Sequence, residues 1–349
     1  MAQAAAHSGW PGWWLRRGLL SGLLWPLSLL FALLTALRRG LYRAGMLRAE
    51  RIGVPVVVVG NLTVGGAGKT PLIAELARGL QQAGWRPGIV SRGYGRRVAD
   101  GGAPIRVDAQ SDPALCGDEP VLLARLTGCP VMVGRRRARA ALALRAASPK
   151  VDVMLSDDGL QHLALARDIE LVVVDQRLWG NGWLLPAGPL RESPGRRRDA
   201  TLGPEGALRQ VRGGGLHFAL VRSPGDFTHL VSGQTLSPAQ FVQRFGVEPL
   251  GVIAGIGHPG QFFGMLQDLG LSVQGRALRD HQPLHAEAFA DLPSGRPVLL
   301  TEKDAIKSAH LPPDLRERLW VVGLRLQLPP DLLPWLQQRL EKTHGLPTA

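Results

Sequence analysis

No aspartate or glutamate occurs before Glu50, and only two cysteines, Cys116 and Cys129, occur in the 349 residues. The cysteines form no C-x-x-C and have no histidine cluster nearby, which argues against a disulfide framework or a zinc site and fits a reducing compartment. There is no internal repeat of fixed period. The formal charge is +13 and the sequence pI about 11.0, so an anionic partner is expected. The runs RRRAR (135–139) and GRRR (195–198) could touch nucleic-acid phosphates, but no recognition module or aromatic-interleaved platform accompanies them. They read as a solvated helix face and a loop, and lipid phosphate is the better use of the excess cations.

What the acid-free front end contains is an apolar run, GLLSGLLWPLSLLFALLTAL (18–37), bracketed by Arg16, Arg17, Arg38, Arg39, Arg43 and Arg48. At ~1.5 Å per residue such a run just crosses a hydrocarbon core of ~30 Å. Trp10, Trp13 and Trp14 stand where an interfacial aromatic belt would lie. Arginines follow the run directly and no A-x-A-like site precedes them, which disfavours a cleaved signal peptide. A spanning helix, one dipping into a single leaflet and, less favoured by the flanking cations and tryptophans, a buried soluble helix all stay open, with Pro26 able to kink any of them.

After this front end, short β-branched runs alternate with helical stretches: VPVVVVG (54–60), PGIVSRGYG (87–95), PVMVG (130–134), VDVMLSDDG (151–159) and IELVVVD (169–175). This pattern predicts βαβ units and a P-loop-type parallel sheet flanked by helices, an α/β fold. A Gly/Pro/Arg-rich interval, 184–215, reads as loop or linker. Alternation then resumes from LHFALV onward, predicting a second, smaller α/β domain. The expected division is 1–49 for the hydrophobic helix and its basic flanks, 50–210 for a nucleotide-binding domain, and 211–349 for a smaller domain closing over a cleft.

VGNLTVGGAGKTP (59–71) joins a predicted strand to an amphipathic helix, the context a phosphate-binding loop requires. Thr63 occupies the place where G-x-x-x-x-G-K-[ST] has its first glycine. The loop Thr63, Val64, Gly65, Gly66, Ala67, Gly68 would offer backbone N–H groups to phosphates, Lys69 a charge for the terminal phosphates, and the Thr70 hydroxyl a ligand to Mg²⁺. Asp157 and Asp158 end a buried strand over the same crevice, where a carboxylate can hold Mg²⁺. Asp118 and Glu119 stand before a helix, Arg92 and Tyr94 at a strand exit, and Asp280 and His281 in RDHQ. TEKD (301–304) ends a strand of the second domain and could line a cleft.

Taken together, VGNLTVGGAGKTP, SRGYGRR, GDEP, DDGLQH, LPAGPLRE, AGIGHPGQFF and TEKDAIK resemble the tetraacyldisaccharide 4′-kinase family, the lipid A disaccharide kinases. That family also has threonine where the usual loop begins with glycine. The resemblance implies transfer of the ATP γ-phosphate to the 4′-hydroxyl of tetraacyldisaccharide 1-phosphate, giving lipid IVA at the cytoplasmic face of the bacterial inner membrane. It implies that Lys69 and Thr70 are the phosphate-loop pair and that Asp157 and Asp158 lie near Mg²⁺. Asp118 corresponds to the catalytic aspartate, paired with His281, and Arg191 and Glu192 to a charge clamp and a metal-shell partner. Tyr94 and Arg92 would face substrate. Members often follow the aspartate–histidine with a second histidine and an aromatic, whereas Gln282, Pro283 and Leu284 follow here. Expected partners are the lipid A disaccharide precursor and anionic inner-membrane lipids, with no nucleic acid, and a monomer is expected. A membrane-associated P-loop ATPase switch of the deviant-loop type competes, but that class carries lysine where this chain has Val64.

Overall fold

The structure, a computed structural model, describes residues 10–94, 102–279 and 282–344. The chain forms two compact units, one of Trp10–Val221 with the segment from Leu328 onward, the other of Arg222–Gln327.

The larger unit is built on strands β1 (Val56–Gly60), β2 (Pro87–Ser91), β3 (Ile105–Val107), β4 (Val131–Val133), β5 (Val153–Asp157), β6 (Ile169–Val173), β7 (Ala200–Gly203) and β8 (Leu216–Ala219). They lie in the order β3-β4-β2-β5-β1-β6-β7-β8, parallel except for β3 against β4. Every residue of β1 and β5 is buried, as the near-continuous apolar runs require of strands covered on both faces. The chain leaves β1 toward β2 and leaves β5 toward β6, in opposite directions from adjacent strands. Such a reversal opens a crevice at the C-terminal strand ends. Val59 pairs with Asp157 in register, so the residues following both strands emerge side by side there.

The longer helices of this unit's first part are α1 (Leu19–Arg43), α2 (Lys69–Gln82), α3 (Asp118–Thr127) and α4 (Arg137–Ala147). The C-terminal helix Leu332–His344 packs on α2, where a Cβ on Gly79 would come within 2.5 Å of Leu333. Three features depart from the sequence reading, the first being that this C-terminal helix, expected in the smaller domain of 211–349, belongs to the larger unit. The interval expected as linker supplies β7 and a one-turn helix, Glu205–Leu208, and the strand of LHFALV, expected in the second domain, is β8 of the larger sheet. A four-residue strand among arginines and glycines carries no periodicity; β7 is specified by pairing with β6, and β8 joins the sheet by pairing with β7.

Helix α1 runs 25 residues through Pro26, long and apolar enough to cross a membrane by length and composition. Leu23, Leu33, Leu34 and Leu37 are exposed, whereas Ser21 and Ser28 are buried, so the helix lies with a small polar face on the body and a leucine face outward. Ser28 Oγ donates to the Leu184 carbonyl at 2.8 Å and accepts from Ala187 N–H at 3.0 Å. Just upstream, Trp14 Nε1 donates to the Pro186 carbonyl and Arg17 Nε to the Asn181 carbonyl.

The smaller unit carries β9 (Val221–His229), β10 (Thr235–Leu236), β11 (Leu250–Ala254), β12 (Val273–Ala277), β13 (Val298–Thr301) and β14 (Leu319–Gln327), ordered β10-β9-β14-β13-β11-β12. Its core includes Phe227 stacked on Phe241 at 4.2 Å, with Trp320 edge-on to Phe241. The TEKD segment has a structural task within this unit. Asp304 is buried and accepts from Gly255 N–H at 2.9 Å and from Thr301 Oγ1 at 2.7 Å, tying the exit of β11 to that of β13.

Candidate active site

The loop between β1 and α2 explains why threonine is tolerated at its start. Positive φ occurs at Gly65 (94°) and Gly68 (83°), where a side chain would be strained, but not at Thr63. Thr63 is instead buried in an antiparallel bridge with Leu190, flanked by Val64 N–H to Pro189 carbonyl at 2.9 Å and Arg191 N–H to Leu62 carbonyl at 2.7 Å. The loop is thus strapped to segment 189–191, and the strap delivers Arg191 to the crevice.

Inside the loop, fully buried Asn61 organises the polar groups. Its Nδ2 donates to the Gly65 carbonyl at 3.0 Å and its Oδ1 accepts from Lys69 Nζ at 3.1 Å. Lys69, the first residue of α2, also lies 3.6 Å from Asp158 Oδ1, while Arg191 Nη1 donates to Asp158 Oδ2 at 2.8 Å. Asp158 adopts φ 47°, an uncommon left-handed conformation for a residue other than glycine, found where the surroundings over-determine it. Burial works against its charge, but Lys69 and Arg191 outweigh burial and hold its carboxyl well below the usual carboxylate range.

Asp157 has the opposite character. Burial, with the Glu119 charge adding to it, pushes its carboxyl up to about 6. Ser91 Oγ donates to its Oδ2 at 2.8 Å from the neighbouring β2, and its buried Oδ1 has no hydrogen-bond partner among the described residues. A buried acid with one unsatisfied oxygen fits a divalent cation, which would supply the missing partner and favour the ionised form. The Thr70 hydroxyl lies in the first turn of α2, at the same strand-to-helix junction.

Other expected residues fall around this centre. Asp118 is buried at the start of α3, and Glu119 is near enough for its charge to act on Asp157. Gly117, at φ 89°, lets this start approach the β2 exit, since a Cβ there would lie 2.8 Å from the Tyr94 carbonyl oxygen. Tyr94 and Arg92 are exposed at that exit. Burial first, then the charges of Arg137 and Arg92, lower His162 to about 3, so its imidazole is neutral. His281 lies outside the described residues.

Glu192 departs from its expected place in the metal shell. Its carboxylate is buried and enclosed by Arg196 at 3.0 Å, Arg39 of α1 at 3.3 Å and the Gln161 amide at 3.0 Å, so its charge is already compensated. Among the described residues, no three acidic, histidine or cysteine side chains converge as a metal cluster.

Three contributors escaped the sequence reading. Arg137, within the run read as a solvated face, is buried and donates to the carbonyls of Gly134 and Asp157. Arg177 pairs with Asp175 at 2.7 Å, donates to the Gly66 carbonyl at 3.0 Å, and lies 4.0 Å over the Trp10 ring. Trp10 Nε1 in turn donates to the Val64 carbonyl at 2.9 Å. Only Asn61 carried a local signal, since it stands between the strand and the glycines. For Arg137 and Arg177 the partners are distant in sequence.

A strand, a glycine-bearing loop and a helix that opens on Lys-Thr, with paired aspartates on the adjacent strand, define a P-loop nucleotide-binding fold of the phosphotransferase kind. A sequence model of the tetraacyldisaccharide-1-P 4′-kinase family matches residues 20–341. A tetraacyldisaccharide 4′-kinase of Aromatoleum aromaticum is 46% identical over 346 residues, covering 97% of this chain and 98% of that protein. One from Acidovorax sp. (strain JS42) is 48% identical over 331 residues, covering 94% and 93%. The crystal structure of LpxK from Aquifex aeolicus in complex with ATP is similar with a TM-score of 0.73 at 27% identity, covering 92% of this chain and all of that one. The chain belongs to the tetraacyldisaccharide 4′-kinase family.

Proposed function

We infer that the chain transfers the γ-phosphate of ATP to the 4′-hydroxyl of tetraacyldisaccharide 1-phosphate, forming lipid IVA in lipid A biosynthesis. The observation that carries this reading is the convergence of Lys69 and Arg191 on Asp158 at the end of the phosphate loop. Family membership supplies the acceptor.

In this reading the loop from Thr63 to Thr70 binds the phosphates through the N–H groups of Gly65 to Thr70, while the Val64 N–H stays on the Pro189 carbonyl. Lys69 exchanges its contact with Asn61 for a phosphate oxygen, and Arg191 adds a second cation. Mg²⁺, held by Asp157 and Thr70, would neutralise charge on the β- and γ-phosphates. A sugar hydroxyl is a poor nucleophile, and Asp118 accepts its proton as the bond to phosphorus forms. Arg92 and Tyr94, exposed beside Asp118, contact the acceptor. The leucine face of α1 holds the protein on the cytoplasmic face of the inner membrane, where the acceptor resides.

The test is mass spectrometry of tetraacyldisaccharide 1-phosphate incubated with detergent-purified protein and Mg-ATP. The expected result is a lipid heavier by one phosphate, absent with Lys69→Ala. ATP hydrolysis without a phosphorylated lipid would overturn the reading.

A further inference from the structure

We propose that a cavity at the C-terminal end of α1 binds the phosphate headgroup of an anionic membrane phospholipid. The cavity measures about 610 Å³, and Ala36, Arg39 and Arg43 of α1 wall it together with Leu163, Arg196 and Arg197. That volume lies within the ~300–1,000 Å³ usual for small-ligand sites.

The charges do not cancel. Glu170 also lines the cavity, but it pairs with Arg167 at 3.2 Å and with Arg196. Glu192, behind the wall, is shared by Arg39 and Arg196. Both acids are therefore matched by Arg39, Arg167 and Arg196. Arg43 and Arg197 are exposed and form no ion pair among the described residues, which leaves two free guanidinium groups on one cavity. A phosphate is the anion whose geometry such groups match.

Position selects a lipid over a soluble ester. The exposed leucines of α1 end at Leu37, and the arginines begin at the next residue. Acyl chains lying along the leucines would bring a phosphate to the level of Arg43, with Tyr42 at the height where interfacial aromatics concentrate. A soluble phosphate ester would satisfy the guanidinium groups and leave that apolar face uncovered. The proposal rests on the membrane placement given above and not on phosphoryl transfer, so the two can fail separately.

Full-length protein is floated with phosphatidylcholine vesicles with and without phosphatidylglycerol, comparing the native chain, R43Q/R197Q and a charge-matched control, R106Q/R212Q. At about 1 kcal/mol per cation near an anionic surface, R43Q/R197Q should lose affinity for phosphatidylglycerol vesicles about 30-fold. The control pair should lose far less, and binding to pure phosphatidylcholine should not change. Equal losses in the two pairs would overturn the site in favour of diffuse charge. Competition by glycerol 3-phosphate as effective as that by vesicle lipid would overturn it in favour of a soluble ligand. In phosphatidylglycerol-free micelles, R43Q/R197Q should keep its KM for tetraacyldisaccharide 1-phosphate; a raised KM would assign the arginines to the acceptor's own phosphate and overturn the phospholipid. Should the double variant fail to fold, each single variant carries the same comparison at about fivefold.

Discussion

Arg39, near the end of the apolar helix, lies 3.3 Å from Glu192, the residue that follows the Asp158-binding Arg191. The apolar helix and the strap that delivers a cation to the phosphate loop therefore share an ion pair. Replacing Arg39 by Gln leaves Glu192 with Arg196 and Gln161, so the fold should survive while the strap loosens. For a partly exposed pair worth ~1 kcal/mol, kcat should fall about fivefold, read from initial rates in detergent at saturating ATP. An unchanged kcat would show that the pair does not reach the site.

Asn61 holds both Lys69 and the Gly65 carbonyl. In Asn61→Ala the loop loses its internal brace before nucleotide arrives, so the KM for ATP should rise about tenfold with a smaller change in kcat. Isothermal titration with a non-hydrolysable ATP analogue separates this from a defect in chemistry.

Asp118→Ala should lower kcat at least ~100-fold, the loss usual for a general base, while the thermal shift produced by ATP persists. Near-normal turnover would remove Asp118 from the mechanism.

The two adjacent aspartates should differ in their response to pH. Burial raises Asp157 from an ordinary carboxylate value to about 6 in the folded, metal-free protein. A raised value means that the folded state binds the proton more tightly than the unfolded one. The stability linked to that proton is fully present below about pH 4 and is lost as pH rises through 6. Asp157→Asn, which mimics the protonated acid, should therefore melt higher than the native chain at pH 8 without Mg²⁺, with the difference vanishing near pH 4. In the same variant Mg²⁺-dependent turnover should disappear. Equal melting temperatures at pH 8 would refute the burial argument.

The crevice was legible in the sequence because its parts are local. A β-branched strand, glycines and a Lys-Thr pair stand in one stretch, and Asp157 and Asp158 close a second apolar run. What pairing adds could not be read. The approach of Ser91 to Asp157 depends on β2 lying beside β5, and the burial of Arg137 depends on carbonyls at Gly134 and Asp157 that no run of arginines announces. The same holds for Glu192, whose motif suggested a metal and whose neighbours turn out to be two arginines. The overlooked strand β7 is too short and too polar around its ends to show a period, and β8, legible as a strand, falls to the wrong domain in the sequence because its pairing with β7 is not local.

The serine on the inward face of α1 bears on how this protein can be handled at the bench. Ser28 and the residues just upstream satisfy the Leu184, Pro186 and Val64 carbonyls and the Ala187 amide, all on or beside the segments that shape the phosphate loop. Cutting away the greasy front end to obtain a tractable soluble fragment would strip those partners along with the apolar helix. Detergents or nanodiscs that shield the leucines, rather than truncation, are the route to an intact enzyme.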